Sequence, residues 1–206
     1  MEIYIFGFIE GLIVFTLGLF ENQRDIKIRS RNNSTLHALV TSSFAILYIN
    51  NIISLLVWSF IMGFSAGYAV YEMILLPCLP EIKLDKATIA HHIMMAYSTT
   101  YYSQYPEILA YGFLTEISTI FLNVSYIELK ENGRTKNFQM NAFLTLFTFF
   151  IFRIIMLWAI VYNMFISNNY IGIVVGSLFG ILNLFWFVKL IKVRVDDRLP
   201  SKDLHT

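Results

Sequence analysis

The sequence predicts an all-α, polytopic membrane protein of seven transmembrane helices, and three observations carry that prediction. Of its 206 residues 57% are hydrophobic and only 14% charged, with a mean hydropathy of +0.62, which lies outside the range of soluble domains. Seven segments are long enough to cross about 30 Å of hydrocarbon at 1.5 Å per residue. The basic residues cluster after every second segment, the pattern that orients a polytopic chain.

The first segment, about 3 to 20, follows Met1-Glu2 without a basic leader region or a small-residue cleavage site, so it is expected to be retained as a span. It contains Glu10 and is followed by Arg24, Lys27, Arg29 and Arg31. The second, 35 to 57, carries His37 near its start. The third, 59 to 79, contains Glu72 and the single cysteine, Cys78, and is followed by Lys83 and Lys86. The fourth, 87 to 105, is the most polar: His91-His92 and several Ser, Thr, Tyr and Gln dilute its apolar residues, which leaves re-entry open beside spanning. The fifth, 107 to 127, aligns Glu116, Thr119 and Asn123 on one helical face and precedes Lys130, Arg134 and Lys136. The sixth, 139 to 165, holds Arg153, and the seventh, 170 to 191, ends among Lys189, Lys192, Arg194, Arg198 and Lys202.

No Lys or Arg occurs in the connections after segments two, four and six, which predicts the N-terminus outside or lumenal and the C-terminus cytosolic. Of the fifteen basic residues only Arg153 then falls within the membrane. Charge alone serves five spans as well as seven, because segments four and five cancel. The short Ser103-Gln104-Tyr105-Pro106 connection fits a tight turn on the far side and selects seven. The sequons at Asn32 and Asn33 then lie on the cytosolic side, where they stay unglycosylated.

The polar residues inside the spans carry the functional information, because an acid, base or imidazole there must be paired, protonated or wet. Glu10, Glu72, Glu116 and Arg153 would together cost on the order of 12 kcal/mol facing lipid at mid-depth, and all four are expected to face inward. Counting along the spans puts His91 and His92 about 6 to 9 Å inside the cytosolic boundary, with Asn123 at a similar level, Glu72 a little deeper and His37 near the cytosolic mouth. Glu116 and Arg153 fall near the midplane, where an ion pair between spans five and six is expected. His91, Met95, Ser98 and Tyr102 form one stripe and His92, Ala96, Thr99 and Ser103 its neighbour. Successive rings diverge by about 100°, so at most one of the two imidazoles points straight into a central cavity.

Each residue also has a plainer role: the histidines as hydrogen-bonding helix glue, Arg153 with Glu116 as a structural pair, the basic loops as topology signals. His37, His91 and His92 are too few to bind the iron of a membrane desaturase. A retinal protein needs a mid-span lysine where this chain has Lys189 only at the end, and a repeat-built carrier needs an internal symmetry that is not visible. No Cys/His spacing suggests a metal, and no cofactor or nucleic acid is expected.

The stretch His91 to Ser98, HHIMMAYS, followed by Thr115 to Asn123, TEISTIFLN, resembles the core of TLC-domain proteins, the group that includes ceramide synthases. Leu36-His37-Ala38, Gly67-Tyr68 through Tyr71-Glu72, and Phe152-Arg153-Ile154 extend the resemblance over residues 34 to 192. It implies three regions: an N-terminal helix and cytosolic basic loop (1–33), the TLC domain (34–192) and a polar cytosolic tail (193–206). Ceramide synthases carry His-Asp, a second Asp and then Lys on the span after the histidine pair; here Thr115-Glu116, Thr119 and Tyr126 stand instead. The chain is therefore more similar to the small TLC-domain-containing proteins linked to membrane lipid composition.

The resemblance implies a six-helix barrel of spans two to seven around a polar cavity that continues into a lipid-accommodating tunnel, in the endoplasmic reticulum membrane. The expected partners are membrane lipids and acyl-CoA, the latter as a co-substrate, with homo-oligomerisation left open. His91 and His92 are the expected catalytic pair, with Glu72, Glu116, Asn123, Arg153 and His37 supporting or binding. Two functions follow: acyl transfer from acyl-CoA to a lipid amine or hydroxyl, or a non-enzymatic lipid-binding regulator of membrane composition. Transport or cargo binding ranks behind both.

Overall fold

The computed structural model describes residues 2–18, 20, 25–82, 86–101 and 105–195. Among them are seven helical rods and no strand: α1 (Glu2–Gly18), α2 (Ile26–Ile49), α3 (Leu55–Cys78), α4 (Lys86–Tyr101), α5 (Pro106–Asn132), α6 (Lys136–Ile166) and α7 (Tyr170–Val195). Arg24, Lys83, Tyr102, Ser103, Gln104, Arg198 and Lys202 lie outside the described residues. By length and composition α3, α5, α6 and α7 are apolar enough to cross a membrane. With 17 residues α1 is shorter, as is α4 with 16, and α2 is more polar.

Local chemistry sets the rod ends. The Asp25 carboxylate accepts from the Lys27 amide at 2.8 Å and starts α2. Lys130, 2.8 Å away at the end of α5, holds that carboxyl below its usual pKa range. Asn50 caps α2 and Asn51 takes a left-handed φ of 57°, after which Ser54 caps α3. Left-handed geometry is tolerated by Asn better than by most residues. Gly133, at φ 75°, ends α5, and the Thr135 hydroxyl accepts from Phe138 N at the start of α6. Pro106 opens α5, where its missing N–H costs nothing.

These caps shift one expected boundary. The turn between the second and third spans falls at Asn50–Ser54 instead of near residue 58, because two asparagines and a serine break the helix before the hydropathy falls. Conversely, α2 begins at Ile26, so Lys27, Arg29 and Arg31 lie on its first two turns and not in a loop. His37 is thereby about 16 Å along its helix, deeper than the expected position at the mouth. The fourth and fifth segments form two separate rods, α4 and α5, with residues 102–104 between them outside the described residues.

Packing closes α2, α3, α4, α7, α6 and α5, in that spatial order, into a ring in which α5 meets α2 again. This is the six-helix barrel. At its far end Trp58, Ile61, Met62, Leu109, Phe113 and Met164 pack into an apolar plug. Trp58 Nε1 donates to the Pro106 carbonyl at 3.2 Å across the ring. The opposite, basic end is left for a cavity.

The first rod stands outside the ring, buried along only Gly7, Gly11 and Phe15 while Ile5, Phe6, Ile9 and Leu17 are exposed. Glu10, expected to face inward, is therefore half-buried on a helix that does not contribute to the barrel wall. Two small-residue ladders meet here: a Cβ on Gly7 or Gly11 would run into the Phe60 or Phe64 carbonyl of α3, and one on Gly63 or Gly67 into the Tyr4 or Phe8 carbonyl of α1. Backbones approach this closely only where Gly removes the side chain. Gly67→Val should separate α1 from α3 and lower stability by about 1–3 kcal/mol, measured as unfolding of the purified chain in detergent, whereas Gly112→Ala, where a Cβ meets nothing within 4 Å, should change it little.

Candidate functional site

Among the described residues, a larger and a smaller cavity lie side by side within the barrel. The larger, about 760 Å³, lies at the basic end, with Lys27 and Arg31 on α2 and Lys189 on α7 at its rim and His37, Glu72, His91, His92 and Arg153 deeper in its wall. The smaller, about 100 Å³, lies behind it among Met95, Ile108, Phe113, Leu157, Ile160 and Phe179. His91, Met95 and Glu116 border both. A polar vestibule thus adjoins an apolar chamber at one imidazole.

The adjacent histidines diverge, as helical geometry requires, yet both reach the vestibule. His92 turns toward α3, where its Nε2 lies 3.8 Å from Glu72 Oε2. His91 turns toward α7 and meets Phe179 and Trp186 edge-on at 5.5 and 5.3 Å. The ring centroids are 5.4 Å apart. Among the described residues neither Nδ1 has a hydrogen-bond partner, although both atoms are buried. Buried polar atoms of this kind are costly to leave unpaired.

Glu72 is held from its other oxygen, which accepts from the Tyr68 hydroxyl at 2.6 Å. Tyr68 also stacks on His37 at 4.0 Å and 14°, and His37 Nε2 lies 2.9 Å from Ser65 Oγ. Tyr68 is four residues before Glu72, one helical turn away, where α3 changes from α- to π-helical geometry at Tyr71–Leu75. A π-bulge of this kind re-aims side chains and recurs at functional sites.

Arg153 and Glu116 form the ion pair expected between the fifth and sixth spans, at 3.2 Å. The guanidinium does more than that. Nε donates to Ser118 Oγ at 2.8 Å and to the Thr115 carbonyl at 3.1 Å. One terminal nitrogen donates to Thr119 Oγ1 at 2.6 Å and the other to Asn183 Oδ1 at 3.3 Å on α7. The Thr119 hydroxyl in turn donates to the free side of Glu116 at 2.9 Å. Here too the helices leave α geometry, α6 through a π stretch at Phe149–Met156 and α5 through a 3-10 turn at Leu114–Glu116.

Of the seven candidate residues, His37, Glu72, His91, His92, Glu116 and Arg153 gather on the vestibule wall. Asn123 does not: its Oδ1 accepts from Arg31 at 3.1 Å and it is fully buried between α5 and α2, away from the imidazoles. Sequence reasoning gave no site role to Tyr68, Ser118, Asn183 or Trp186. Tyr68 was signalled by its spacing of four from Glu72, and Asn183 by being an amide inside an otherwise apolar span. Among the described residues no group of His, Cys, Asp and Glu has the arrangement of a metal site.

Residues 27–192 match the family model of the TLC domain. A curated relative, an uncharacterized TLC domain-containing protein of Schizosaccharomyces pombe, is 30% identical over 146 residues, covering 64% of this chain and 50% of the relative. The chain thus spans about half the length of the curated relative it matches. No solved structure matches.

Because the Arg153 guanidinium ties α6 to partners on α5 and α7, Arg153→Met should strand a buried carboxylate and destabilise the barrel by about 3–5 kcal/mol. Arg153→Met with Glu116→Met should recover much of that loss, measured as apparent unfolding midpoints in the same detergent.

Proposed function

Because this chain belongs to the TLC domain family, with the membrane-lipid-related role that membership brings, we propose that it binds a lipid in the barrel and transfers an acyl chain from acyl-CoA to a lipid amine or hydroxyl. The observation that carries this reading is the meeting of the two cavities at His91: a polar, cation-rimmed space for a charged head and an apolar one for a chain, with two imidazoles between them. Ligand sites generally combine an apolar lining with a few convergent polar groups.

In the reaction, the acceptor nitrogen or oxygen attacks the thioester carbonyl, a C–N or C–O bond forms and the C–S bond breaks. His92, backed by the Glu72 carboxylate and with Nδ1 unpartnered, takes the acceptor's proton and returns it to the departing sulfur, which leaves as the CoA thiol. His91 stands where the thioester carbonyl would lie, with the chain running past Met95 toward Ile160. Lys27, Arg31 and Lys189 at the rim offer cations to the CoA phosphates. Topology follows the basic residues, with the vestibule facing the cytosol and the protein in the endoplasmic reticulum.

One observation favours a second reading, a non-enzymatic lipid-binding regulator of membrane composition. Glu116, the second acid on the vestibule wall near the imidazoles, is fully engaged by Arg153 and Thr119, which leaves His91 without a carboxylate of its own. Purified wild type incubated with long-chain acyl-CoA and a membrane lipid extract should release free CoA, and His92→Ala should lower the rate about 10²- to 10⁴-fold, the usual worth of general acid–base catalysis. Lipid retention equal in wild type, His91→Ala and His92→Ala, with no CoA released by any, would leave the regulator reading in place of the enzyme.

A further inference from the structure

The helix outside the barrel reaches its interior. Phe15, in the last turn of α1, is completely buried and inserts between α2 and α3. Its ring meets Tyr68 edge-on at 4.8 Å and His37 at 6.2 Å, two residues that line the vestibule. It also lies 5.9 Å from Tyr71, the first residue of the π stretch in α3. The Phe15 backbone is held as well. Asn33 Nδ2 on α2 donates to the Phe15 carbonyl at 2.8 Å, satisfying one of the carbonyls a helix end leaves open, and lies 3.1 Å from the Tyr71 hydroxyl.

We infer that α1, acting through Phe15 and Asn33, is a positioning element that fixes the direction of Glu72 toward His92. Tyr68 and Tyr71 flank Glu72 one turn and one residue before it, and each is braced by the end of α1. Tyr68 grips one Glu72 oxygen, and the π turn that begins at Tyr71 sets the angle at which the other leaves the helix. Without the Phe15 wedge the Tyr68 ring gains room to tilt, and the carboxylate that it holds moves with it. The glycine ladders add the reason for the close approach: they bring α1 near enough to α3 for a phenyl ring to reach the second layer of side chains. The matched domain begins at residue 27, so the brace comes from a helix outside it.

Position can be read on the imidazoles with no substrate present, which separates this inference from the acyl-transfer reading. The full chain in detergent is treated with diethyl pyrocarbonate, which acylates accessible imidazoles, and the modification rates at His91 and His92 are resolved by fragment-ion mass spectrometry. Glu72→Gln should change the His92-to-His91 ratio by about threefold or more, the scale of one interhelical hydrogen bond in a membrane. Phe15→Ala should change it in the same direction, and the double variant should match Glu72→Gln alone, because both act through one carboxylate. Effects that multiply in the double variant, or a Phe15→Ala change shared equally by the two histidines, would overturn the inference. If Phe15→Ala elutes as an aggregate, Asn33→Ala, which removes the bonds to Phe15 and Tyr71, is judged by the same criterion.

Discussion

A guanidinium inside a hydrocarbon layer has to be surrounded by acceptors, and most of this barrel is arranged around that requirement. Arg153 uses all three of its nitrogens, on Thr115, Ser118, Thr119 and Glu116 of α5 and on Asn183 of α7, while it is itself carried by α6. Three of the six ring helices are thereby joined at one side chain, and Phe149 covers the guanidinium at 5.2 Å. The opposite half of the ring is joined by a different network, in which His37, Ser65, Tyr68, Glu72 and His92 link α2, α3 and α4. The vestibule is the space between the two networks. Its wall is polar because residues of both networks line it, Arg153, Glu116, Ser118 and Thr119 on one side and His37, Tyr68, Glu72 and His92 on the other.

The three spans that carry buried charge all leave α-helical geometry where they do so: π at Tyr71–Leu75 around Glu72, π at Phe149–Met156 around Arg153, and 3-10 ending at Glu116. A regular α-helix advances each side chain by about 100°, so the direction of a charge is fixed by the apolar face chosen for its neighbours. Adding or removing part of a turn frees the charged residue from that compromise. The apolar neighbours keep facing lipid or core while Glu72, Glu116 and Arg153 turn to their partners.

Much of this was legible in the sequence, and the physical reason is the bilayer. Apolar length foretold the seven helices, four of which are long and apolar enough to cross a membrane, and the cost of a charge in lipid pointed to the pairing of Arg153 with Glu116. What could not be read was whatever depends on local backbone geometry. The Asn50-Asn51 turn lies inside an apolar stretch, so hydropathy placed it some residues late. Asn123 shares a stripe with Glu116 and Thr119 but meets Arg31, because α2 begins at Ile26, earlier than its composition suggests, and so places Arg31 against that part of α5. Glu10 was expected inward on energetic grounds, and the glycines that dock α1 against the outside of α3 explain why it is not.

Gly112 borders the apolar chamber, and a Cβ there would meet nothing within 4 Å. Its neighbours on the chamber wall, Phe113 and Leu157, are committed to packing. The capacity of the hydrophobic compartment is therefore adjustable at this position without disturbing the frame, since a side chain grown from residue 112 has free volume to occupy and no helix to push. One vacant methyl position thus governs the volume of the apolar chamber independently of the polar half of the barrel.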